Sequence, residues 1–148
     1  MLAGWDPKWI DDHKSWLSSH GIHSDGWSNR INQENLELIL STEKKQGFVW
    51  FYAYMPKSKS GDMNVCYRLK IKDLLYTNEL RPHNHLEGEH DLQHSGGKSD
   101  GGVRLSFQVL NIEDIDPVSP SDFVTSKGEH VKGGAQLLNI LVVEQKSE

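Results

Sequence analysis

The stretch that decides the fold lies at residues 48–55 and reads Phe-Val-Trp-Phe-Tyr-Ala-Tyr-Met. This density of aromatic residues is typical of a β-strand, in which successive side chains point to opposite faces of the sheet. One face therefore carries the rings of Phe48, Trp50, Tyr52 and Tyr54. The other face is also apolar, so we expect both to be covered, one by the core and one by a helix or a bound ligand.

The strand pattern returns in three later segments. Residues 64–71 alternate between apolar and polar side chains, and residues 103–112 and 136–143 are rich in Val, Leu and Ile. These compositions and periods predict three further strands. Between the last two of them, the polar and proline-containing residues 114–120 predict a turn, and residues 121–123 predict one short helical turn.

Two helices are predicted ahead of the strands. Asp6 and Pro7 are a favoured N-cap and first helical residue, and Gly21 is a favoured position for the helix to end. Apolar residues at helical spacing predict a second helix over 31–40, and the polar run 42–47 predicts an exposed turn. Because the helices do not alternate with the strands, we predict an α+β fold, a curved sheet or small β-barrel flanked by two or three helices.

The composition limits the classes of function. The 148 residues fit a single domain over 1–148, and the net charge of −5 argues against binding nucleic acid over the whole surface. A local basic or aromatic site remains compatible with that charge. Cys66 is the only cysteine, which excludes an internal disulfide and a cysteine-rich zinc site. The chain shows no membrane-length apolar run and no secretory signal pattern, so we expect a cytoplasmic protein without a membrane partner.

A histidine-rich segment suggests one enzymatic hypothesis. Residues 81–102 are rich in Gly, His and acidic residues and lack periodicity, which predicts a mobile insertion between strands. Its histidines are His83, His85, His90 and His94. Imidazole and carboxylate groups suit zinc, so the alternative hypothesis is a metal-dependent hydrolase or nuclease built on His83–His94. Glycine-rich surroundings do not hold ligands rigidly, however, and we expect no metal, no cofactor and no catalytic residues.

The aromatic residues favour a different hypothesis. Trp27 stands alone in a polar segment, and Trp50, Tyr52 and Tyr54 line one face of a strand. Aromatic walls with a few hydrogen-bonding groups are suited to hold a planar base, including one turned out of a duplex. Core packing is the alternative role for the same rings, and the protein would then be a protein-interaction or structural module.

Three pieces of the chain form a further pattern. Gly26-Trp27-Ser28-Asn29-Arg30 precedes a helix rich in Leu and Ile, residues 47–52 and 65–69 flank a basic loop, and a strand and a proline-containing segment follow within 103–123. In this order they resemble the EVE domains of the PUA-like superfamily, to which the YTH and ASCH domains also belong. The resemblance covers residues from about 24 to 143. That family usually opens with a strand, which only residues 1–5 could supply here.

The resemblance implies a non-catalytic reader that accommodates one base, methylated in many relatives, in an aromatic pocket. It implies that Trp27 is a wall of this pocket, that Ser28 or Asn29 bonds the base edge, and that Trp50 and Tyr52 are further walls. The phosphate contacts that it implies are Arg30, Lys57, Lys59 and Arg68. The implied partner is nucleic acid, modified DNA rather than RNA, together with the larger effector chain or subunit of a modification-dependent restriction system.

Overall fold

The computed structural model describes residues 1–5, 7–27, 30–56, 61–81, 103–125, 127–132 and 143–145. Helices α1 and α2 span Pro7–Ser19 and Gln33–Gln46, and a 3-10 turn spans Pro120–Asp122. The strands within the described residues are β1 (Leu2–Gly4), β2 (His23–Trp27), β3 (Val49–Tyr54), β4 (Val65–Arg81), β5 (Val103–Val118), β6 (Phe123–Thr125) and β7 (Val143–Gln145). The predicted insertion lies outside the described residues except for residue 81, and so does the predicted strand over 136–143 except for residue 143.

Five strands form the main sheet, in the order β1-β3-β4-β5-β2. Strand β1 runs parallel to β3, and the other neighbouring pairs are antiparallel. Strands β6 and β7 form a separate antiparallel pair. The predicted α+β class is confirmed, but the described strands do not close into a barrel, since β1 and β2 remain its two edges.

The sheet is curved, and its two edges approach each other. Trp5 follows β1 directly and Trp27 ends β2, yet the centroids of their rings lie only 5.3 Å apart. Both rings also contact Phe51 at the centre of β3, at 5.4 and 5.8 Å. These three rings join the edges of the sheet on its inner face, the face that carries the main core.

Two apolar cores lie on opposite sides of the sheet. The main core lies between the inner face and the helices, where α1 contacts β5 and α2 contacts β3. It is built from alternate residues of the central strands, such as Phe51, Leu69 and Phe107. A second, smaller core lies where the segment after β5 returns to the sheet, and its buried members are Leu2, Tyr54, Val65, Phe123 and Val131. The 48–55 segment is therefore covered on both faces toward its end.

Two predicted turns are wrong. Residues 42–46 continue α2, which ends at Gly47 in a left-handed conformation with φ of 86°, and the Gly47 N–H donates to the Glu43 carbonyl. The Glu43 carboxylate also accepts from the Leu74 N–H at 3.1 Å, so tertiary contact extends the helix through this polar run. Residues 114–118 likewise continue β5 because they pair with β4. The predicted first helix and the short turn near residue 121 are confirmed.

Candidate nucleic-acid interface

Trp27 lies at the end of an edge strand. The sequence predicted a polar turn here, but residues 23–27 form β2 and pair with β5, with Trp27 opposite Leu105. The indole is half-buried, packed against Trp5 and Phe51, and is not enclosed by aliphatic side chains. Arg30 is exposed shortly after it. Ser28 and Asn29, the residues expected to bond a base edge, lie outside the described residues.

A buried polar pair lies behind this cluster. His13 of α1 is fully buried, and its Nε2 lies 2.8 Å from Oδ2 of Asp25, which is 8% exposed. Since a carboxylate only accepts, we assign the proton of this hydrogen bond to the imidazole Nε2. The other carboxylate oxygen accepts from the Gly26 N–H at 2.7 Å. The pair thus ties α1 to β2, two residues before Trp27.

Sequence reasoning did not identify this pair. His13 lies on the apolar face of the predicted first helix, and Asp25 immediately precedes the polar segment of residues 26–30. A histidine on an otherwise apolar helix face is the one signal that could have indicated a buried partner. Beside the pair, the buried Nε1 of Trp5 has no hydrogen-bond partner within the part of the chain that the structure describes.

The outer face of the sheet carries a second aromatic group, here called the outer-face ladder. Its rings are Phe48, Trp50 and Tyr52, on or next to β3, and its cations are Arg68, Lys70 and Lys72 of β4. All six side chains are partly exposed, while the intervening Val49, Phe51, Leu69 and Ile71 are buried in the main core. Because successive side chains of a strand alternate between the two faces of the sheet, the core residues lie on one face and the aromatic and basic residues on the other.

Two cations of the ladder lie directly over rings. Arg68 pairs with Tyr52 in register, but its guanidinium carbon lies 3.8 Å from the centroid of the Trp50 ring. Lys70 pairs with Trp50, and its Nζ lies 4.2 Å from the centroid of Phe48. Each cation thus lies over the ring two residues before its register partner on β3. Such cation–π contacts stabilise by about 0.5–1 kcal/mol at exposed sites.

Strand β5 supplies polar neighbours for these cations. Both Nε and Nη2 of Arg68 lie 2.7 Å from Oε2 of Glu113, which is opposite it in register. Lys70 is opposite Asn111, and Lys72 is opposite Gln108. The ladder therefore contains one neutralised cation and two cations that face amide side chains.

The second core covers one end of the outer-face ladder. Tyr52 packs edge-on against Phe123, with 4.9 Å between ring centroids, and it is partly buried beside Val65. Phe48 and Trp50 are not among the described members of that second core. Trp27 lies on the inner face and Trp50 on the outer one, so the structure does not bring these two proposed walls into one pocket. Lys57 and Lys59, the other expected phosphate contacts, lie outside the described residues.

The remaining candidates give little chemistry. Burial, and then the negative charge of Asp62, raises the pKa of the Cys66 thiol, which disfavours the reactive thiolate. His83–His94 lies outside the described residues, and the described ones contain no group of three or more His, Cys, Asp or Glu placed to hold a metal. Neither α1 nor α2 combines the length and the apolar character that crossing a membrane requires.

Comparison with known proteins adds no relative to this description. The chain matches no protein-family model, no curated protein and no solved structure. The two aromatic sites are therefore the features from which a function can be inferred.

Proposed function

We propose that this protein is a non-catalytic nucleic-acid-binding protein that accommodates bases on aromatic side chains. The observation that carries the proposal is the outer-face ladder, in which partly exposed rings of β3 lie beside three basic residues of β4. Rings offer stacking surfaces for bases, at roughly 1–3 kcal/mol per base. Adjacent lysines and arginines attract phosphates without regard to sequence.

The distribution of charge supports the same function. The whole chain has a net charge of −5, yet alternate residues of β4 place three cations on one face. Exposed Lys44 and Lys45 in the last turn of α2 lie only a few residues before Phe48. An acidic protein with one basic aromatic surface is expected to bind locally and in a salt-sensitive manner.

The finer part of the proposal is a reader of a modified base at Trp27. It is supported by a half-buried indole at the rim of the inner aromatic cluster, next to the buried Trp5 Nε1 that has no acceptor within the described residues. By the resemblance to EVE domains, we propose modified DNA rather than RNA as the ligand, and a PUA-like relationship for the fold. We also propose a cytoplasmic location and a role as specificity module of a larger restriction effector.

The proposal is tested by titrating the purified protein with modified and unmodified oligonucleotides at two salt concentrations, followed by tryptophan fluorescence. Trp50→Ala should weaken binding to both about 5- to 150-fold, the equivalent of losing one stacked base. Trp27→Ala should lower the preference for the modified strand. Trp16→Ala is the matched control, because Trp16 stacks on His20 at the surface of α1.

Three results would contradict the proposal. Unchanged affinity in both Trp50→Ala and Trp27→Ala would show that neither aromatic site contacts nucleic acid. Equal affinity for modified and unmodified strands would contradict recognition of a modified base, while general nucleic-acid binding would stand. Stoichiometric metal in the purified protein, with hydrolytic activity lost in His85→Ala, would favour the enzymatic hypothesis instead.

A further inference from the structure

We infer that the outer-face ladder binds a single strand in an extended conformation, with Arg68 as a stacking plate for a base and Lys70 and Lys72 as the phosphate contacts. The inference rests on the proposed function and specifies its ligand. It differs from the expectation drawn from the sequence, in which Arg68 contacts phosphate. Three features of the described residues carry it: the spacing of the rings, the orientation of the guanidinium, and the neutralisation of its charge.

The spacing of the rings excludes stacked duplex bases as the ligand. Residues two apart on a strand are separated by roughly 6.6–6.8 Å, whereas bases of a duplex strand follow each other at about 3.4 Å. The rings of Phe48 and Trp50 are also nearly perpendicular, at 80°, with centroids 5.4 Å apart. One continuous stack cannot lie on both rings. An unstacked strand can instead place separate bases along the ladder, one of them on the Arg68 guanidinium that covers Trp50, and a paired duplex does not offer such bases.

The orientation of the planar Arg68 guanidinium suits it for stacking on a base. Its carbon lies 3.8 Å from the centroid of the Trp50 ring, and its Nε and Nη2 are both directed toward Oε2 of Glu113. The side chain is 31% exposed, and a base stacked on the flat face opposite the indole would leave these hydrogen bonds intact. Unpaired bases stack on guanidinium planes as they do on aromatic rings. A base would then complete a stack of indole, guanidinium and base.

The charges of the ladder indicate which cations contact phosphate and which one stacks on a base. Glu113 already neutralises Arg68, so Arg68 adds little to the attraction of phosphates. Lys70 is opposite Asn111 of β5 in register, and Lys72 is opposite Gln108. No salt bridge joins either lysine to a carboxylate of the described residues. These two ammonium groups are therefore the ones that can exchange counterions for phosphates. Each phosphate contact contributes about −0.7 to the slope of log affinity against log salt for a single strand.

The test measures that slope with a fluorescein-labelled 12-nucleotide single strand, as DNA and as RNA, and with the corresponding duplex. The single strand should bind at least tenfold more tightly than the duplex, and the DNA and RNA arms identify the preferred sugar. Lys70→Ala and Lys72→Ala should each reduce the slope by about 0.7. Arg68→Met, made together with Glu113→Gln so that no unpaired carboxylate remains, should reduce affinity at least fivefold while leaving the slope unchanged. Lys8→Ala on α1 is the charge control and should change neither quantity.

A conservative variant keeps the test decisive if this double variant disturbs the fold. Arg68→Lys retains the charge and can still pair with Glu113, but it lacks the planar guanidinium on which a base would stack. Full affinity in Arg68→Lys would overturn the stacking role, and so would a reduced slope in the double variant. Equal binding of single strand and duplex would overturn the inference and keep the proposed function. Binding to neither would overturn both.

Discussion

Removing the carboxylate of Asp25 tests whether the buried pair holds the Trp27 edge of the sheet against α1. In Asp25→Ala, the His13 Nε2 loses an acceptor at 2.8 Å and the Gly26 N–H loses one at 2.7 Å. A hydrogen bond to a charged group contributes about 1.5–3 kcal/mol, and leaving a buried donor without an acceptor costs about 1–3 kcal/mol. His13 is fully buried, so water cannot replace the lost acceptor without rearrangement. We therefore expect the free energy of unfolding to fall by about 3 kcal/mol.

The contribution of the contact itself is measured by a double-mutant cycle with Asp25→Ala and His13→Leu. Urea unfolding of the four proteins at pH 7, followed by circular dichroism, gives the coupling energy. We expect about 1.5–3 kcal/mol, the range for a hydrogen bond to a charged group. Lys14→Ala is the control on the same helix, because it removes an exposed ion pair with Asp114 at 2.7 Å. Pairs of that kind contribute less than about 1 kcal/mol. A coupling below about 0.5 kcal/mol would refute the stabilising role of the buried pair.

Three further predictions concern the backbone and the thiol. Gly47→Ala should lower the free energy of unfolding by about 1–2 kcal/mol because φ is 86°, while Gly47→Asn should cost less, as urea unfolding of both variants will show. Gly61→Ala should also destabilise, since its Cβ would lie 2.3 Å from the Met55 carbonyl oxygen; a melting temperature equal to that of the parent protein would contradict this. The alkylation rate of Cys66 should reach its plateau at a higher pH in the folded than in the urea-unfolded protein, because burial and Asp62 raise the thiol pKa.

The central strands could be predicted because their burial repeats every two residues. Phe51 and Leu69 belong to apolar rows that the sequence displays directly, and the first helix shows its N-terminal signals equally clearly. Strand β2 could not be predicted, because residues 24–26 read Ser-Asp-Gly and have little preference for a strand. Pairing with β5 and the contact between Asp25 and His13 hold it in place.

The candidate site was predictable as a set of residues but not as an arrangement. Trp50 and Tyr52 could be named from the strand pattern, whereas Arg68 could be named only through the family resemblance, as a phosphate contact. The stacking of Arg68 on Trp50 depends on the register of β3 with β4 and on Glu113 from β5, which no local pattern specifies. The separation of Trp27 from Trp50 onto opposite faces likewise follows from the topology of the sheet.

The late pairing of β2 has a consequence for synthesis on the ribosome. Asp25 pairs with Phe107, and His23 pairs with Val109, so among the described strands this early one has no partner until the chain beyond residue 109 has emerged. At about 5–20 residues per second, the delay is roughly 4–16 s. During that interval the indole of Trp27 cannot hold its native contact with Phe51, because its strand is not yet paired. We expect nascent chains of this length to be the species that chaperones recognise.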